Sequence, residues 1–376
     1  MRYLFKCFNK KLRTISTFPK FNRANRSDFS QVLRKRINDY LANTKTHRFA
    51  NFGMYVKAFV MLALFFTPLV VMITWSAIPT WMVFVFYITS GIGMAGIGMG
   101  VMHDAIHGSY SKYKWVNKLM SLTMNLIGAN ANTWKIQHNV LHHTYTNIDH
   151  HDEDIEVMGL MRFSPNAKRY WFHRFQHYYF WFLYGLSTMM WVTSKDFTSI
   201  VRYKKMGLLK GDQKLSKEIL KIIFWKILYF TYTLILPMIF LPQSWWVILL
   251  AYLCMHYITG LIISLVFQTA HVMPNTTFPT PNENAVIEDE WHAHQLMTTT
   301  NFAPKSRIFA WYIGGLNFQV EHHLLPNICH VHYRKISKIV RETAEEYKYP
   351  YNTKETFLHA LIDHIRLLRR LGKGMA

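Results

Sequence analysis

The sequence is poor in cysteine, poor in acidic side chains and, over two long stretches, free of charge altogether. Its three cysteines, Cys7, Cys254 and Cys329, are too few and too scattered for a disulfide framework, a CxxC redox site or an iron-sulfur cluster. Only 21 Asp and Glu stand against 43 Lys and Arg, a formal net charge of +22. No Lys, Arg, Asp or Glu occurs from Ala58 to Met102, nor from Ile227 to Asn282, where Glu283 ends the run. There is no internal repeat beyond these two runs, no low-complexity linker and no cleavable signal peptide, since the first apolar run follows a basic, polar stretch of about 50 residues.

One helical crossing of a bilayer takes about 20 apolar residues, so each run is long enough to cross twice. The expected helices are about 55–75 and 80–101, joined by "SAIP", then about 223–241 and 245–267, joined by "PQS". Tryptophans at the tips of charge-free hairpins speak against a buried soluble hairpin. The segment before the first helix carries thirteen Lys and Arg, from Arg2 to Arg48, whereas neither tip carries a charge. The positive-inside rule then points both tips outward and leaves the N-terminus, the region between the hairpins and the C-terminal tail in the cytoplasm. The same rule accounts for the net charge, so nucleic acid is not an expected partner. The expectation is an all-α integral membrane protein, multi-pass, with four transmembrane helices in two hairpins and a histidine-rich cytoplasmic cap. It divides into a basic N-terminal segment (1–54), a membrane domain (55–340) and a helical C-terminal tail (341–376).

What the chain has in abundance is histidine, 20 in all. "HDAIH" places His103 and His107 at the end of the second apolar helix, "HNVLHH" holds His138, His142 and His143, and "QVEHH" holds His322 and His323. On a helix, residues four apart share a face, so His103 with His107, and His138 with His142, can each converge on one point. Adjacent histidines stand about 100° apart and can serve different ions. Seven imidazoles exceed the three or four ligands of a single zinc site, which points to two metals, and ligand type alone leaves iron, zinc, copper and nickel open. His271 in "LVFQTAH" ends the fourth helix as His103 ends the second. The other histidines, His256 and His330 among them, read as packing or surface residues.

The three boxes, in this order around two apolar hairpins, resemble those of the membrane fatty acid desaturases. Gln319 opening the third box, together with "HQLMTTTNF" (His294 to Phe302) and "GGLNFQVEHHLLP" (Gly314 to Pro326), resembles the front-end (delta-5 and delta-6 type) acyl desaturases. The resemblance covers roughly Gly91 to Val340. It implies a non-haem centre of two iron ions that, with dioxygen as co-substrate and two electrons, introduces a cis double bond into an acyl-lipid or acyl-CoA. It further implies His103, His107, His138, His142, His143, His271, His322 and His323 as metal ligands, with Gln319 as a ninth candidate and no catalytic residue apart from the metal centre. Asp104, Glu321 and His294 are candidates for hydrogen bonds that orient the ligands. The acidic run "DHHDED" (Asp149 to Asp154) either orders box two, docks a basic partner or is a solvated loop.

Many front-end desaturases carry a fused cytochrome b5 domain with an HPGG motif, and that motif is absent from this sequence. Electrons are therefore expected from an external donor such as a ferredoxin or cytochrome b5; the basic segment from Lys195 to Lys226 either offers such a donor complementary charge or simply follows the positive-inside rule. The nearest alternative is a di-iron lipid hydroxylase of the same architecture. A membrane zinc protease would need HExxH where "HDAIH" stands, and a metal transporter would want ionisable groups within the crossings, where only His256 lies near a midpoint.

Overall fold

The computed structural model describes residues 18–22, 27–75, 77–156, 159–209 and 214–375. Cys7 and seven of the basic residues of the N-terminal segment, from Arg2 to Arg26, lie outside the described residues, as does Lys210.

The charge-free runs fold as helices because nothing in them offers the backbone a better partner than itself. Among the described residues, four helices are long and apolar enough to cross a membrane: Phe52–Thr74, Thr80–His107, Leu215–Phe240 and Trp245–His271. In chain order the main helices are α1 (Phe29–Asn43), α2 (Phe52–Thr74), α3 (Thr80–His107), α4 (131–145), α5 (Gln176–Met190), α6 (Asp196–Lys205), α7 (Leu215–Phe240), α8 (Trp245–His271), α9 (Trp291–Thr298), α10 (Gln319–Leu324), α11 (Tyr333–Glu346) and α12 (Phe357–Lys373). Asn51 caps α2, its side chain accepting from the Met54 amide at 3.1 Å.

The spanning helices run past their expected ends. α3 continues through "HDAIH" and so carries box one on its own last turns, and α8 continues to His271. α7 begins at Leu215, eight residues before the apolar stretch, because its early charges are satisfied locally. Glu218 is buried there, taking hydrogen bonds from Lys221 at 2.7 Å and Asn132 at 3.0 Å.

α3 packs between α2 and α8, and two glycines on it make both approaches possible. A Cβ on Gly93 would stand 2.5 Å from the Phe65 amide nitrogen of α2, and one on Gly91 would stand 2.7 Å from the Met255 carbonyl of α8. The aromatic stretch after Tyr170 forms α5, which lies along α8. A π turn, Trp191–Lys195, joins α5 to α6. Two further π segments, Ile97–Val101 in α3 and Ile136–His142 in α4, precede box one and contain most of box two. Such segments often mark functional sites, since they re-aim side chains without ending the helix.

The polar side of the molecule closes over the helix ends. Phe29, Leu33 and Ile37 of α1 pack with Leu296, Phe318 and Val320, and with Ile336 and Val340 of α11. α11 is an amphipathic helix that follows box three, and it runs unbroken across residues 340 and 341. α12 seats Leu367, Leu368 and Leu371 against Phe180 and Tyr184 of α5. Two two-residue parallel pairings are the only strands among the described residues: β1 (Lys20–Phe21) with β2 (Val286–Ile287), and β3 (Asn301–Phe302) with β4 (Thr353–Lys354). They tie the N-terminal segment and the chain after α11 to the loops around α9 and α10.

Candidate metal centre

Four elements bring the boxes together: α3 carries box one, α4 box two, α10 box three, and α8 ends in His271. Their eight histidines form one buried cluster with two foci. His103, His107, His138 and His322 converge in one group, and His142, His271 and His323 in the other. His143 lies between, its Nε2 3.2 Å from Nε2 of His138 and 2.9 Å from Nε2 of His322.

The adjacent pairs part as their helical spacing requires. The rings of His142 and His143 cross at 83° and those of His322 and His323 at 85°; His142 and His143 fall in different groups, and His322 and His323 divide between the two foci while also meeting around His143. His138 and His142, expected to share one point, stack at 5.3 Å and meet with Asp154 in one group, while each also belongs to a different focus.

In the group of three, the tautomers are set from outside. His142 donates from Nδ1 to Asp152, 3.1 Å from each carboxylate oxygen, with Asp154 at 3.4 Å. His271 donates from Nδ1 to the Thr298 carbonyl at 3.1 Å, and His323 from Nδ1 to Gln295 Oε1 at 2.8 Å. With the proton held on Nδ1, each Nε2 lone pair turns inward, and all three Nε2 atoms are buried without a protein partner. Unpaired buried nitrogens are costly unless something else fills the space they face, and a divalent cation fits them.

The group of four is held differently. Nε2 of His103 and Nε2 of His138 stand 3.0 Å apart. Two nitrogens each about 2.1 Å from one ion and at right angles to it would be separated by about 3.0 Å, so this spacing also suits a shared ion. Trp134 stacks on His138 at 4.2 Å between ring centroids. The outer nitrogens have little support: His103 Nδ1 has no partner, and His322 Nδ1 has the Tyr333 hydroxyl at 3.4 Å.

Burial and the company of other imidazoles hold His138, His143, His322 and His323 well below the usual histidine pKa, which keeps them neutral and able to ligate. Burial acts on His142 in the same sense, but Asp152 and Asp154 outweigh it and raise its pKa to about 9. A cation on Nε2 would replace the second proton there, while Nδ1 keeps its bond to Asp152.

Gln319 lies against His271 with its Nε2 buried and unpartnered. Asp104 turns chiefly away from the boxes. It accepts from His330 Nδ1 at 2.7 Å and from the Cys329 thiol at 2.9 Å, whereas His103 Nδ1 is 3.9 Å away. Lys57 of α2 donates to His330 Nε2 at 2.6 Å, so both ring nitrogens of His330 are engaged and this trio is a hydrogen-bonded network with its own cation, not a second metal site. Glu321 accepts from Tyr351 at 2.7 Å and Asn301 at 2.9 Å, not from a box histidine, and burial pushes its pKa up to about 7. His294 is buried beside the Thr146 main chain and the Phe21 ring with neither ring nitrogen in a hydrogen bond.

Sequence reasoning missed Gln295, Thr298 and Tyr333 as partners of the ligand rings. The acidic run does order box two, since Asp152 also accepts from the Asn147 amide at 2.9 Å.

Residues 79–355 match the fatty acid desaturase family. The chain is 35% identical over 349 residues to an sn-1 linoleoyl-lipid 6-desaturase of Arthrospira platensis, covering 92% of both chains. It is 33% identical over 351 residues to an acyl-lipid (8-3)-desaturase of Physcomitrium patens, covering 93% of this chain and 72% of that one. An acyl-lipid (8-3)-desaturase of Mortierella alpina is 31% identical over 357 residues, with 92% and 78% covered. A match of that extent takes in all three boxes and the segments that orient them, and it settles the lineage: this chain belongs to the fatty acid desaturase family and is an oxidoreductase.

Proposed function

We propose that this chain desaturates the acyl chain of a membrane lipid at a centre of two iron ions. One ion would be held by His103, His107, His138 and His322, the other by His142, His271 and His323, with His143 between them and Gln319 beside His271. When bound, the irons supply the activation of dioxygen that an unactivated methylene pair requires. In balance, one –CH2–CH2– unit loses two hydrogens, and with two electrons and two protons the dioxygen leaves as two waters.

The rest of the work is done by the protein. Asp152, Gln295 and the Thr298 carbonyl hold protons on the outer nitrogens of three rings, so their inner lone pairs stay available. Trp134 and Phe267 stand between the cluster and a small, partly open apolar cavity and put an apolar wall on that side of the metals, which disfavours water there. The acyl-lipid substrates in the names of the relatives agree with that lining.

In the membrane we place α2 with α3 and α7 with α8 as two hairpins, both tips outward and the histidine cluster on the cytoplasmic side, since basic residues crowd the segments flanking the hairpins and are missing from the tips. An external donor, a ferredoxin or cytochrome b5, would deliver electrons to that side.

The observation that carries this reading is the pair of histidine foci beside an apolar cavity, one with its inner nitrogens unpaired and the other with them nitrogen to nitrogen. The test is gas chromatography with mass spectrometry of fatty acids from cells expressing the chain with a compatible electron donor, against an empty vector and His142→Ala. A new unsaturated acid absent from both controls is expected. New hydroxy acids instead would overturn desaturation in favour of hydroxylation.

A further inference from the structure

Between α7 and the continuous helix of α5 and α6 runs an apolar groove lined by Thr193, Phe197, Ile223, Lys226, Ile227 and Phe230. It faces outward: Ile227 is 63% exposed on a helix apolar enough to cross a membrane, so the bilayer interior is its natural surroundings. Behind it lies a narrow, partly open cavity of about 20 Å³, lined by Met99, Met102, Met124, Ile127, Trp134 and Phe267 among others, which ends one side chain from His138. Val192 is the one described residue that lines both.

Val192 belongs to the π turn, and the turn is held from α7. A π turn leaves main-chain carbonyls short of helical donors, and Lys226 supplies one, donating to the Trp191 carbonyl at 2.8 Å. Its remaining protons go to Asp196 at 2.8 Å and the Gly128 carbonyl at 3.1 Å. The only cation among the described residues of the groove is thus neutralised and fully engaged, and it has nothing left for the phosphates of a soluble thioester carrier. The remaining lining is suited to a hydrocarbon chain.

We propose that this groove is the lateral portal by which an acyl chain, still attached to a lipid in the bilayer, reaches the metal centre, and that Val192 is the constriction it must pass. The inference rests on the desaturase reading for what happens at the end of the route, and adds the route. A membrane-facing apolar groove and an apolar cavity abutting the histidines, with one valine lining both, are what commit the occupant to a lipid tail.

The test uses the full chain in membranes of expressing cells fed an 18-carbon fatty acid bearing a diazirine, which enters every acyl-lipid class. The membranes are washed free of soluble thioesters, irradiated and mapped by peptide mass spectrometry, and Val192→Trp is compared with the natural chain for iron content and for product. Labels are expected both on the groove segments around Phe197 and Ile227 and on the cavity methionines. Val192→Trp should keep its iron and its groove labels, lose the cavity labels, and form about a hundredfold less product, the scale on which misplacing a reacting chain is felt. Product and cavity labels unchanged in Val192→Trp would overturn the portal, as would cavity labels in the natural chain with none in the groove. Should the tryptophan cost the chain its iron, the labelling map of the natural chain decides alone by the same criterion. If the natural chain is labelled along the whole route yet forms no new double bond, the portal stands and the desaturase reading falls.

Discussion

The two foci of the histidine cluster are built on opposite plans. In the group of three, His142, His271 and His323 each donate outward to a fixed acceptor and turn an unpaired Nε2 inward. In the group of four, His103 and His138 meet nitrogen to nitrogen, Trp134 packs against the rings, and the outer side is almost unsupported. The first is ready for an ion before one arrives. In the second, the ion itself would supply much of the order. Metal loss should therefore be unequal, with chelation at rising strength emptying the group of four first.

The comparison can be broken most sharply at the rings themselves. His142→Ala and His322→Ala should each reduce product to background with the protein still in the membrane fraction. Iron analysis should then separate them, His142→Ala losing the ion of the three-histidine group and retaining the other. Retained activity in both variants would contradict the ligand assignment. Next in size, Asp152→Asn should lower iron affinity or activity by about 10–100-fold, because the neutral amide no longer secures the proton on His142 Nδ1. Gln295→Leu should fall near the lower end of that range, about tenfold, through His323. Tyr333→Phe, removing only a 3.4 Å contact on the four-histidine side, should cost clearly less than either, and an equal loss would erase the distinction between the foci.

The smallest effect is expected at Glu321. A glutamine there can accept from Asn301 and donate to the Tyr351 hydroxyl, keeping both bonds, so Glu321→Gln should leave iron content unchanged and turnover within about twofold. A large loss would mean that this carboxylate acts on His322 after all.

The parts that were legible in sequence depend on neighbours along the chain. Charge-free runs marked the four long helices, and spacings of one and four marked the boxes. The rest depends on meetings that no local pattern announces. Gln295 reaches His323 across 28 positions, Asp104 turns to His330 across 226, and Lys57 finds His330 across 273. Asp104 was the natural partner for His103 by adjacency, but a helix sends consecutive side chains in different directions, and the nearer acceptor geometry belonged to His330. The π segments were hidden for a related reason, since one extra residue in a turn changes no composition and shifts every later side chain.

α9 is only eight residues long, yet it grips the metal centre from three points. Gln295 takes the proton of His323, the Thr298 carbonyl takes that of His271, and the Trp291 indole donates to the His143 carbonyl at 3.2 Å. Three ligands drawn from three distant parts of the chain thus answer to one short rod. Damage to that rod, or to the β1 and β2 pairing just upstream of it, would tilt all of them together, so these three ligands should fail in a single step rather than one by one.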